Sequence, residues 1–236
     1  MSVGMQNNLP AVELTNVSKI YGFTTALKKI HLKIEEGETI GFIGHNGAGK
    51  STLLKIISLL VTPSSGSIKI FGTEAKEKYH LLKKDIGVLL SHSFFYEDLT
   101  GRENLEYYLK MNKRTKNTNE IINEAVKQYN LKLYIDRPAH ELSTGMAKKL
   151  EILRVLLPTL PKLLLLDEPF SGLDVENKKF LNQLITKRQA DRTVIICSHN
   201  FRTIARLCSR VFYLENGGIT KVLIPSEYDF FLKNKN

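Results

Sequence analysis

Nine residues, "GHNGAGKST" at 44–52, constrain this chain more than any other stretch of it. They follow a continuously apolar run at 39–43 and lead into an amphipathic pattern over 49–60. That is G-x-x-x-x-G-K-S in a strand–loop–helix setting. Its glycines let the loop curl until several backbone N–H groups face one anion, and the helix that starts there adds positive potential. A lysine at Lys50 reaches the β- and γ-phosphates of a nucleoside triphosphate, and the Ser51 hydroxyl suits Mg²⁺. Gly44, His45, Asn46, Gly47, Ala48, Gly49, Lys50, Ser51 and Thr52 are therefore the expected nucleotide-binding residues.

A second pattern supplies acid. "LLLLDEP" at 163–169 puts Asp167 and Glu168 at the C-terminal end of a strand that reads as buried. In open α/β sheets that edge is where ligands bind. Asp167 fits the metal, directly or through water, and leaves Glu168 as general base for an attacking water. His199 follows another apolar run, "TVIICS" at 193–198, and so sits on the same edge, where a γ-phosphate contact is expected.

These buried runs alternate with helical patterns at 49–60, 102–111, 119–129, 145–157, 176–189 and 200–208. Such alternation predicts an α/β fold around a mainly parallel sheet. Near the N-terminus, "AVELTNV" at 11–17 and "HLKIEEGE" at 31–38 alternate apolar and polar residues, as half-buried antiparallel strands do. From about 92 to 157 there are helices without a strong strand, which reads as a helical subdomain inserted into a single 236-residue domain. Within it "FFYEDLTGREN" carries Phe94, Phe95 and Tyr96, of which at least one is expected to be exposed. Thr100 and Glu103 have the spacing of a capping box, which predicts a helix starting at Gly101.

Composition removes several function classes. No apolar run approaches the length needed to span a bilayer, and the first ten residues lack the basic-then-apolar order of a secretory signal, so a cytoplasmic protein is expected. The two cysteines, Cys197 and Cys208, lack metal-ligand spacing and read as reduced thiols. The net charge of +10 is spread along the chain. No basic motif interleaved with aromatics appears, so nucleic acid is not an expected partner.

Taken in order, these pieces resemble the ATP-binding subunit of an ABC transporter over nearly the whole chain. "GHNGAGKST" resembles its Walker A motif, "LLLLDE" its Walker B motif, "SGLD" at 171–174 its D-loop with Asp174, and His199 its switch histidine. Tyr21 resembles the aromatic that stacks on adenine. "LSTGM" at 142–146 resembles the signature, usually LSGGQ, and assigns Ser143, Thr144, Gly145 and Met146 to it. The resemblance implies a P-loop fold of the ABC type, ATP and Mg²⁺ as cofactors, and a head-to-tail homodimer or heterodimer. In that dimer the signature of one chain completes the ATP site of the other. It also implies an integral membrane permease as partner, with this subunit peripheral on the inner face of the membrane.

The chain departs from that pattern twice. Thr144 and Met146 replace a Gly and a Gln of the signature. The Q-loop glutamine is missing, and counting from Ile86 places Ser91 at its position with His92 next. "LTGRENL", "LSTGM" and the absence of an added regulatory domain look more like exporter-type subunits, so export is the expected direction. Two other readings remain: a soluble ABC-type ATPase acting on ribosomes or nucleic acid, and a P-loop phosphotransferase.

Overall fold

The computed structural model describes residues 9–91, 95–112, 116–157, 161–186 and 192–233. Two sheets and a helical layer make up the architecture.

The N-terminal half opens with β1 (Val12–Tyr21) and β2 (Thr24–Ile34), an antiparallel pair broken by register shifts between Leu14 and Ile20. Next come β3 (Thr39–Ile43), α1 (Lys50–Ile57), β4 (Ser65–Ile70), β5 (Thr73–Glu74), the short helix α2 (Tyr79–Leu82) and β6 (Ile86–Leu89). Strands β2, β1, β4 and β5 form one antiparallel sheet in that order. The expected strand at 31–38 in fact begins earlier, at Thr24, and ends at Ile34. Its first half carries Lys28 and Lys29 toward solvent and so lacks the clean alternation that marks a strand in sequence.

The helical layer contains α3 (Gly101–Met111), α4 (Thr118–Gln128) and α5 (Thr144–Leu156). The capping box is present as spaced: the Thr100 hydroxyl accepts from the Glu103 N–H at 3.1 Å, and Glu103 Oε2 accepts from the Thr100 N–H at 2.8 Å. Leu105, Leu109, Ile122, Leu131, Ile135, Leu150 and Leu153 form a separate apolar core for this layer. Phe95 is buried in that core.

The chain then returns through β7 (Leu163–Asp167), α6 (Val175–Thr186), β8 (Thr193–Ser198), α7 (Phe201–Ala205), β9 (Arg210–Glu215), β10 (Gly218–Leu223) and α8 (Pro225–Lys233). The second sheet runs β10-β9-β3-β8-β7-β6. Its five strands from β9 to β6 are parallel, and β10 closes one edge antiparallel. Every residue of β3, β7 and β8 is buried, because α1 and the antiparallel sheet cover one face and α5 to α8 the other. All C-terminal ends of the parallel strands therefore point to one edge, with Gly44, Asp167 and His199 along it. Among the described residues, no helix is long and apolar enough to cross a membrane. Both cysteines are free and buried.

Candidate nucleotide site

The phosphate loop leaves β3 at Ile43 and turns into α1. Gly49, the residue before α1, has φ +108°, and a methyl group on it would lie 2.7 Å from the Ala26 carbonyl oxygen. Both facts require glycine there. The antiparallel sheet presses on the loop from this side, and the turn before β10 ties it from another: Gly217 N–H donates to the Ala48 carbonyl at 3.2 Å, and Lys28 N–H to the Gly217 carbonyl at 2.8 Å. Gly217 and the Ala26–Lys28 stretch thus shape the loop from far away in sequence, and no local motif marks them.

Lys50 is 6% exposed. Its ammonium donates to the Gly44 carbonyl at 2.8 Å and to the His45 carbonyl at 3.1 Å, so the cation sits inside the curl of the loop. His45 Nδ1 lies 2.7 Å from the Asn46 carbonyl oxygen, and both side chains face solvent. Ser51 and Thr52 lie in the first turn of α1.

Asp167 ends β7 beside this loop and is 2% exposed. Burial pushes its carboxyl pKa up, while a hydrogen bond with Ser51 and the charges of Lys50 and Lys55 pull the other way. Asp167 Oδ1 is buried without a hydrogen-bond partner. A carboxylate with a free oxygen, bonded to a hydroxyl next to a phosphate loop, is the donor set Mg²⁺ takes when nucleotide phosphates and water complete its shell. No group of three or more His, Cys, Asp or Glu side chains among the described residues could hold a metal alone, and a shared site of this kind needs none. The residues present therefore fit Mg²⁺.

Glu168 comes next, with φ +46°. A non-glycine residue in that region costs on the order of 1–3 kcal/mol and persists only where its surroundings hold it. Here its N–H donates to the Cys197 carbonyl at 2.9 Å. Its carboxylate is held at both oxygens: Ser198 Oγ donates to Oε2 at 3.2 Å, and His199 Nδ1 lies 2.9 Å from Oε1. The structure thus brings Glu168 and His199, 31 residues apart, into direct contact. Ser198 joins them, although the sequence singled out only its neighbour.

The remaining expected residues lie farther out. Tyr21 ends β1, 45% exposed, with the Lys19 ammonium 5.0 Å from its ring centroid. Ser143 caps α5, its hydroxyl accepting from the Met146 N–H at 3.4 Å. Ser143 and Thr144 are exposed, whereas Gly145 and Met146 are half-buried, Met146 against the core of the helical layer. Asp174 is exposed and caps α6 by accepting from the Asn177 N–H at 2.7 Å. Ser91 is exposed just beyond β6, while His92 and Phe94 lie outside the described residues. Of the aromatic trio, the two described residues divide. Phe95 is buried, and Tyr96 is 50% exposed, stacked edge-on to Tyr107 with its hydroxyl 3.2 Å from that of Tyr107. Asn104 holds the connector by bonding both the N–H and the carbonyl of Tyr96, at 2.8 and 3.0 Å.

Comparison with known proteins points the same way. The family model described as ABC transporter matches residues 27–171. An uncharacterized ABC transporter ATP-binding protein of Bacillus subtilis (strain 168) is 34% identical over 212 residues, spanning 89% of this chain and 68% of that protein. The bacitracin transport ATP-binding protein of Enterococcus faecalis is 32% identical over 220 residues, 92% of this chain and 70% of that protein. Among solved structures, a dimeric ATP-binding cassette in a post-hydrolysis state, bound to ADP and Pi, superposes with a TM-score of 0.82 at 28% identity. That superposition covers 91% of this chain and 98% of the cassette.

Proposed function

This chain belongs to the ABC transporter family as an ATP-binding ATPase, and we propose that two such chains close head to tail around ATP and drive a separate membrane permease. The observation that carries the catalytic assignment is the Glu168 carboxylate, fixed at both oxygens by Ser198 and His199 beside the phosphate loop.

The backbone N–H groups from Gly44 to Thr52 and the Lys50 ammonium bind the phosphates, and Tyr21 stacks on the base. Ser51 and Asp167 would hold Mg²⁺, which would supply charge neutralisation at the phosphates. Glu168 accepts the proton of the attacking water, with its carboxylate already oriented. His199 lies between Glu168 and solvent, where it contacts the γ-phosphate. Ser143 to Met146 and Asp174, from the second copy, complete the site. The dimeric cassette among the structural relatives supports this arrangement.

The proposal extends to an integral membrane permease and a position on the cytoplasmic face of the membrane. Tyr96, exposed on a braced connector, is its proposed contact. "LTGRENL" and "LSTGM" support export. Ser91 stands in for the missing Q-loop glutamine through water, or His92 does. The test is to release γ-labelled phosphate with the purified chain and Mg²⁺, then repeat with the co-purified membrane partner in inside-out vesicles. Free phosphate, stimulation by the partner and ATP-dependent loss of cargo from the cytoplasmic side support the reading. Label transferred to a metabolite, or a partner that is a ribosome or nucleic acid, overturns it.

A further inference from the structure

Gly145 opens a helix where glycine is unfavourable, and its reason lies inside its own chain. We propose that Asn177 is a positioning residue that ties the turn opening α5, residues 143–146, to the D-loop at 171–174, so that both reach a second copy as one rigid piece.

Asn177 uses both oxygens of one carboxylate. Its N–H donates to Asp174 Oδ1 at 2.7 Å, and its side-chain amide donates to Asp174 Oδ2 at 2.9 Å. The same amide nitrogen lies against Gly145. A methyl group on Gly145 would overlap the Asn177 amide nitrogen and lie 3.2 Å from its Cγ. Any larger residue at 145 would push the Asn177 amide aside and off Asp174 Oδ2, because the atom it meets is the end of that side chain.

Two further contacts run alongside. A methyl group on Gly172 would meet Thr144 Cγ2 at 3.5 Å, so the D-loop backbone passes directly against the signature turn. One helical turn on, the Lys149 ammonium lies 4.9 Å from the centroid of Phe180, which stacks edge-on with Tyr129 at 5.5 Å. Helices α5 and α6 are thus keyed at their N-termini and along their first turns. In the head-to-tail dimer both segments act on the partner's site, and groups that act together on one reacting centre must be held in a fixed relation. Asn177 supplies that relation from outside the nucleotide site. This inference rests on the dimer reading above, but the contact itself does not.

A double-mutant cycle tests it, with Gly145→Ala, Asn177→Ser and the pair, all in a Glu168→Gln background that retains ATP. Serine at 177 removes the amide that meets position 145. Three quantities are read: melting temperature of the nucleotide-free chain, equilibrium ATP affinity, and ATP-dependent dimer by sedimentation. Gly145→Ala alone is expected to lower the melting temperature and weaken the dimer roughly tenfold or more. The pair is expected to return both to the level of Asn177→Ser alone, because the overlap is gone. Asn177→Ser alone keeps ATP affinity, which belongs to the chain's own phosphate loop, yet weakens the dimer. A purely structural role for Asn177 would lower the melting temperature and leave the dimer unchanged once folded, and that result overturns the tie. A Gly145→Ala loss that persists in the pair also overturns it. If the Glu168→Gln reference itself forms no dimer with ATP, the dimer reading fails, and the melting arm still decides whether Asn177 and Gly145 press on each other.

Discussion

Glu168 Oε1 and His199 Nδ1 stand 2.9 Å apart, joining the end of one buried strand to the end of its neighbour. Ser198 holds the other carboxylate oxygen at 3.2 Å. Glu168 and His199 are therefore one unit, and neither is free to turn without breaking a hydrogen bond. Changing Glu168 to Gln keeps the shape of this unit and removes its basicity. Turnover is expected to fall by about 10²–10⁴-fold with ATP affinity retained. Phosphate release at the wild-type rate would remove Glu168 from the base role.

Asp167 carries the pH signature of the site. Burial raises its pKa above the unfolded value, so the folded chain binds the extra proton between those two values. Folding stability from this group is therefore full at low pH and is lost as pH rises through the folded pKa. Asp167→Asn is expected to raise the melting temperature of the nucleotide-free chain at neutral pH. The gain should shrink as the solution is acidified into the ordinary carboxylate range. Mg²⁺ with ATP should stabilise the parent chain and much less the variant. A variant that melts below the parent at every pH would contradict the burial argument.

Ser143 tests the trans contact. It is exposed and, among the described residues, its hydroxyl bonds its own helix start, so arginine there fits the isolated chain. Ser143→Arg removes the N-cap of α5 and is expected to cost about 1 kcal/mol of stability, yet to leave monomer ATP affinity unchanged, because Ser143 lies outside the phosphate loop of its own chain. It should abolish the ATP-dependent dimer. Sedimentation and an ATP titration on the same sample check both halves, and a large loss of affinity in the monomer would place Ser143 in its own chain's site.

Phe95 and Tyr96 are adjacent and should behave oppositely. Phe95 fills the core of the helical layer, and truncation to alanine there is expected to cost roughly 3 kcal/mol. Tyr96 is half exposed, and Asn104 holds its backbone whatever its side chain. Tyr96→Ala is expected to leave melting almost unchanged and to weaken permease association by about 1 kcal/mol or more. Pull-down with the cognate membrane partner, paired with melting curves, separates the two. Unchanged association in the Tyr96 variant would remove the docking role.

What the sequence determined by itself was local. The phosphate loop, the Asp167–Glu168 strand end and the Thr100–Glu103 capping box are each contiguous, and their geometry follows from backbone conformation and spacing within a few residues. The alternation of buried runs with helices likewise gave the parallel sheet, because β3, β7 and β8 are buried on both faces and read as unbroken apolar runs. Strands β4, β6, β9 and β10 are short or half-exposed and carry no such signal. The places of β4, β6 and β9 come from pairing with partners far along the chain, and β10 follows β9 as a hairpin onto that edge. The tertiary structure alone decided that Phe95 turned inward, that Ser198 and His199 grip Glu168, and that the Asn177 amide lies against Gly145. In each case the deciding contact joins residues that share no helix turn or strand, so no period in the sequence records it.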